Sequence, residues 1–136
     1  MFFSEINYVA VVVGAVLHMV IGFLWYGPLF GQTWMELVGL TKEKIESAKD
    51  QMGKTYAVSF VLGIVMSAVL YWLVKSIAPF SLYDAVFFGG LLWLAFTGNA
   101  QLNNTLFLRK PLKLFLIDSG YFLVSTIVLS VLFTLW

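Results

Sequence analysis

The chain has no cysteine, a single histidine and three prolines in 136 residues, and charged side chains make up only 11% of it. Each shortage closes a class. Without cysteine there are no disulfides, thiolate metal sites, iron–sulfur clusters or cysteine nucleophiles. One histidine allows no two-His or HExxH spacing, so metal catalysis and a metal cofactor have no support. A soluble domain carries about 25% charged residues. A surface in water cannot be covered with 11%, which excludes a soluble globule, a disordered chain and a coiled coil. Eight Lys and Arg against seven Asp and Glu give a net charge of +1 and no basic footprint for nucleic acid.

What is abundant is apolar surface: 61% of residues are hydrophobic and 18% aromatic. Four runs are long enough to cross a bilayer, at about 6–26, 56–74, 82–102 and 112–136. They are continuously apolar rather than alternating, which predicts an all-α integral membrane four-helix bundle and not a β-barrel. The first run has no Lys or Arg before it, is too long for a signal-peptide core and meets no small-x-small site, so it reads as a span. Pro28, after Trp25-Tyr26-Gly27, is expected to end it. Ala78-Pro79 is expected to close the second span after Lys75, and Asn103-Asn104 to end the third. Pro111 suits the first turn of the fourth.

The only sizeable polar segment is 27–54. It predicts a short amphipathic helix at 41–52, with Thr41 as N-cap and Glu43 in the first turn. Ile45, Ala48 and Met52 form a narrow apolar stripe, and Lys42/Glu46 and Glu46/Lys49 have ion-pair spacing. Gly53 is expected to stop it. Such a helix reads either as a connector lying on the membrane or as a docking element.

The basic residues set an orientation. Lys42, Lys44, Lys49 and Lys54 lie in the first loop and Arg109, Lys110 and Lys113 in the third, against Lys75 alone in the second. The positive-inside rule then places loops one and three in the cytoplasm and both termini outside. Tyr8, Tyr71, Trp72, Tyr83 and Trp136 are expected at the outer interface, and Trp25, Tyr26, Trp34 and Tyr56 at the inner one.

With no catalytic motif to read, polar residues inside the spans carry what chemistry there is. At a rise of about 1.5 Å per residue, His18 lies about 18 Å below the outer face and Asp118 about 9 Å above the inner one. Asn99, Gln101, Asn103 and Asn104 cluster at the inner end of span three. Helical spacing gives each span one small or polar stripe: Gly14/His18/Gly22, Ser59/Gly63/Ser67, Thr97/Gln101/Asn104 and Asp118/Tyr121/Ser125. These stripes should be the packing faces. Asp118 and His18 each read either as a hydrogen-bonded brace or as a titrating group, and a His–Asp pair would make a proton relay. Lys113 or Arg109 is within reach of Asp118 along the chain. Trp93 reads as a packing residue.

Two stretches are specific enough to compare. Leu24-Trp25-Tyr26-Gly27-Pro28-Leu29-Phe30-Gly31, with Trp34 after it, resembles the WYxPxxFG…W signature of small bacterial four-span membrane proteins grouped as domain of unknown function 1761. Leu102-Asn103-Asn104-Thr105-Leu106-Phe107, then Arg109, Pro111 to Ile117 and Gly120-Tyr121, resembles its second signature. Met52-Gly53-Lys54, Tyr56 and Ser59-Phe60 match the start of its second span. Where that pattern has Asn and later Tyr-His, this chain has Asp118 and Tyr121-Phe122. The resemblance implies the fold and a bacterial inner-membrane location, and it implies no activity.

Two functions fit. One is a small permease or ion pathway using His18, Asn99, Gln101, Asn103, Asn104, Asp118 and Tyr121. The other is a non-catalytic protein that binds lipid or a partner, with Arg109, Lys110 and Lys113 holding anionic head groups and Trp25, Tyr26 and Trp34 anchoring at the interface. Four spans enclose no wide pore, so a homo-oligomer, most simply a twofold dimer, is expected. No enzyme, cofactor or nucleic-acid partner is expected.

Overall fold

Lipid offers the backbone no hydrogen-bond partner, so apolar runs of this length must satisfy it internally as helix. The computed structural model describes residues 2–77 and 81–136, and those residues contain helices and no strand. In chain order the helices are α1 (Tyr8–Leu24), α2 (Gly31–Val38), α3 (Lys42–Ser47), α4 (Met52–Ile77), α5 (Leu82–Leu92), α6 (Gly98–Phe107) and α7 (Leu112–Leu135). A π-helical turn, Trp25–Leu29, extends α1, and a second, Trp93–Thr97, joins α5 to α6. Among the described residues, four helices are thus long and apolar enough to span a membrane: Tyr8–Leu29, Lys49–Ile77, Leu82–Phe107 and Leu112–Leu135.

One end of the bundle carries α2, α3 and the Leu108–Pro111 turn, with seven of the eight basic residues; it is called the basic end. The end carrying Ile6 and Trp136 is the terminal end. Span four is central. It packs on α1, α4, α5 and α6, and it is the most buried of the four. Small side chains make this possible, since Ser119, Ser125 and Ser130 on α7 are fully covered by neighbours. The stripes on α1 and α4 face each other as their spacing requires. Ser67 Oγ donates to the Val11 carbonyl at 2.8 Å, and a Cβ on Gly63 would lie 3.4 Å from His18 Cδ2. The apolar core fills the terminal half: Ile6, Ala10, Val11, Leu70, Tyr71, Val74, Leu129 and Phe133. Tyr71, expected at the interface, is in that core, edge-to-face on Phe133 at 5.3 Å.

The element ends depart from expectation for identifiable reasons. Pro28 does not end span one. It lacks an N–H and crowds the carbonyl four residues back, and the chain answers by widening: Phe30 N–H donates to Trp25 O, five residues earlier, at 2.8 Å. Gly53 is no stop either, because α4 starts at Met52 and Gly53 falls in its first turn. The glycine that ends a helix is Gly39, with φ +72°, which closes the unforeseen α2. Its N–H reaches Glu36 O at 3.3 Å, and Leu40 N–H reaches Met35 O at 2.9 Å. The helix expected over 41–52 is broken after Ser47 by the 3₁₀ turn Lys49–Gln51. Its cap and one ion pair are present: Lys44 N–H donates to Thr41 Oγ1 at 3.2 Å, and Lys49 Nζ lies 3.7 Å from Glu46 Oε1.

Asn103 and Asn104 lie inside α6 rather than ending it. That helix closes at Arg109 with the same two bonds as at Gly39: Arg109 N–H to Leu106 O at 3.4 Å, and Lys110 N–H to Thr105 O at 3.0 Å. Arg109 has φ +53°, a left-handed conformation that costs a non-glycine residue about 1 kcal/mol. Pro111 is the N-cap of α7, just ahead of its first turn. The expected Ala78-Pro79 break lies outside the described residues.

Candidate functional site

Near the basic end, four side chains dock on one turn of α7. Asp118 Oδ1 accepts from the Tyr26 hydroxyl at 2.7 Å and from Trp34 Nε1–H at 2.9 Å. Trp25 Nε1–H donates to Ile117 O at 2.8 Å, and Trp93 Nε1–H donates to Ser119 O at 2.8 Å. A carbonyl has two lone pairs, so these two can accept an indole while remaining in the helix ladder. Both of these tryptophans open π-helical turns, which re-aim the side chain relative to a regular helix. Glycine makes the room: a Cβ on Gly120 would lie 3.1 Å from the Trp25 ring, and one on Gly98 would lie 2.8 Å from the Trp93 ring.

One turn further along α7, Tyr121 meets His18. The phenol oxygen is 3.0 Å from His18 Nε2, 3.3 Å from Nδ1 and 3.0 Å from the His18 carbonyl. A phenol has one proton. Donated to the carbonyl, it leaves the oxygen as an acceptor facing the His18 ring. His18 is 7% exposed and faces the interior, as its flanking glycines require. Gly22 opens the space, since a Cβ there would lie 2.9 Å from Tyr121 Oη. Tyr26 and Tyr121 meet edge-to-face at 5.5 Å. The site is therefore two bonded pairs in ring contact, His18–Tyr121 and Tyr26–Asp118. The direct His18–Asp118 pair is replaced by two intervening phenols.

Cavities flank this array. A cleft of about 430 Å³ lies between α1 and α4, lined by Gly22, Phe23, Tyr26, Tyr56, Ser59 and Tyr121 among others. It shares Met19, Ser59 and Tyr121 with a second cavity of about 300 Å³ that reaches His18 and Met66. Asp118 itself lines a recess of about 160 Å³ with Gln101, Asn104, Thr105 and Lys110. There Gln101 Oε1 is buried without a hydrogen-bond partner among the described residues.

The expected site residues thus divide. His18, Tyr121 and Asp118 are brought together, and Gln101 and Asn104 join Asp118 at the recess. Asn99 and Asn103 are exposed and line a separate groove with Trp93 and Leu102. They are four residues apart and share one helix face, while Gln101 lies about 200° around from Asn99. Trp25, Tyr26 and Trp34, expected to anchor at the interface, spend their polar atoms on α7 instead, because buried acceptors await them there. Lys113 and Arg109, expected near Asp118, are exposed, as is Lys110, and the donors to Asp118 Oδ1 are Tyr26 and Trp34. Trp93 is a donor as well as a packing residue. The cleft walls Phe23 and Met19 went unforeseen, since nothing but azimuth marks them. Among the described residues no three His, Asp or Glu side chains gather as a metal ion would need.

A family model described as "Protein of unknown function (DUF1761)" matches residues 9–134. No curated protein and no solved structure matches the chain.

Proposed function

Since the chain belongs to the DUF1761 family, whose name supplies no activity, we propose its function from the site alone: a permease-like pathway for a small solute or ion, entered from the cytoplasm. One observation carries the reading. The cleft and its continuation run from Tyr56 near the basic end to His18 deep in span one, beside two ionisable groups held by tyrosines. Beyond His18, Gly14 packs against Ser67 and Phe133, and the apolar core follows. A cleft in the half near the basic end, with a packed apolar core in the other half, is the asymmetry that alternating access builds on. A twofold dimer belongs to the proposal.

The test is reconstitution in liposomes with a trapped pH dye, challenged with a panel of small cations, amines and amino acids. A solute-evoked pH change is expected with the wild-type protein and not with Asp118→Asn, which cannot titrate. A response equal to that of empty liposomes across the panel would sink the pathway. Retention of anionic lipid by the wild type and its loss in Arg109→Gly would then favour the lipid-holding reading, for which the left-handed Arg109 is the specific observation.

Orientation is the companion proposal: basic end cytoplasmic, in the bacterial inner membrane, termini outside. An impermeant thiol reagent applied outside should label a cysteine placed at Ser81 and not one at Ser47, both exposed positions at opposite ends. The reverse labelling would overturn it.

A further inference from the structure

We propose that the cleft between α1 and α4 receives the head of an organic ammonium cation, of the trimethylammonium type; this rests on the pathway reading and names its substrate class. Four aromatic rings line the cleft in two edge-to-face pairs. Phe23 and Tyr56 meet at 5.5 Å and 63°, and Tyr26 and Tyr121 at 5.5 Å and 76°. The cleft is thus walled largely by aromatic surface, and aromatic rings attract cations.

The hydrogen bonds narrow the chemistry. Tyr26 spends its proton on Asp118 and Tyr121 on His18. These two phenols therefore have no proton for an anion or a carbonyl ligand. What they offer is π surface, which suits a head group that itself has no N–H to place. The bond to a carboxylate also polarises the Tyr26 O–H and enriches that ring in electron density. No Lys or Arg lines the cleft. Its volume of about 430 Å³ lies within the range of small-molecule sites, about 300–1,000 Å³.

The experiment uses the full-length protein in maltoside micelles, titrated with choline and tetramethylammonium and followed by intrinsic fluorescence. The comparison ligand is 3,3-dimethyl-1-butanol, which has the shape of choline without its charge. Saturable binding of choline is expected, about tenfold tighter than the alcohol, with a loss of about tenfold in Tyr56→Leu. Equal binding of choline and the alcohol, or unchanged affinity in Tyr56→Leu, overturns the proposal. Nanodiscs identify the source of the cation. Competition by phosphatidylcholine but not phosphatidylglycerol assigns the head group to a lipid, and its absence assigns a free solute; both support an ammonium site. A solute-evoked pH change in liposomes without choline binding would overturn this assignment alone. Choline binding with neither a pH change nor uptake of labelled choline into the liposomes would overturn the pathway alone.

Discussion

Asp118→Leu should lower the stability of the solubilised protein by about 2–6 kcal/mol, while Asp118→Asn should cost about 1 kcal/mol. The difference follows from one oxygen. Tyr26 and Trp34 both donate to Asp118 Oδ1, at 2.7 and 2.9 Å. Leucine offers no acceptor, so two donors within the bundle lose their partner together, at about 1–3 kcal/mol each. Asparagine keeps a carbonyl oxygen in nearly the same place and can accept both. Trp34 belongs to α2 and bonds it to α7, so the leucine variant should also loosen that helix from α7. Thermal melting of the three proteins, with limited proteolysis across 30–40, reads both effects. A leucine variant that melts within about 2 °C of wild type would show that the array contributes nothing to the fold. The asparagine variant isolates function from stability: folded but inactive in the liposome assay, it assigns the charge to the pathway.

The spans were legible because an apolar run of about 20 residues has only one way to satisfy its backbone in lipid. The small-residue stripes were legible for an equally simple reason. Gly14, His18 and Gly22 repeat every four residues and so share one face, which packs on two neighbours: Gly14 and His18 meet Ser67 and Gly63 of α4, and Gly22 meets Tyr121 of α7. What spacing cannot show is azimuth between helices. Asp118, Tyr26 and Trp34 could be placed at one depth, but that Tyr26 and Trp34 point inward depends on the π-helical turn through Pro28 and on acceptors some ninety residues further along. The same gap hid α2, whose apolar residues have no purpose until α7 lies beneath them. Asn99 and Asn103 differ. Their separation from Gln101 was present in the helical period, and depth alone grouped them wrongly.

Gly89 and Gly90 make the same point as a prediction, since adjacent glycines look equivalent in the sequence and are not. A Cβ on Gly89 would lie 2.8 Å from Ile127 Cα and 2.8 Å from the Thr126 carbonyl, and these are backbone atoms that cannot rotate aside. A Cβ on Gly90 would meet nothing within 4 Å. Span three is attached to the bundle chiefly through α7, so a side chain at Gly89 must push α5 off its main support. Gly89→Val should therefore cost about 3 kcal/mol, at the upper end for overpacking, and lower the melting temperature by about 10 °C. Gly90→Val should stay within about 1 kcal/mol of wild type, because helix propensity is the main thing that changes there. The damage should also be local. Trp93, whose indole reaches Ser119 O at 2.8 Å, should lose that bond and shift its fluorescence. The His18–Tyr121 pair is built from α1 and α7 alone and should survive below the melting point. Equal melting of the two valine variants would mean that span three does not pack on α7 through Gly89. Loss of the His18–Tyr121 pair in Gly89→Val at low temperature would mean that the four spans fold as one cooperative unit rather than as three spans with a fourth docked on α7.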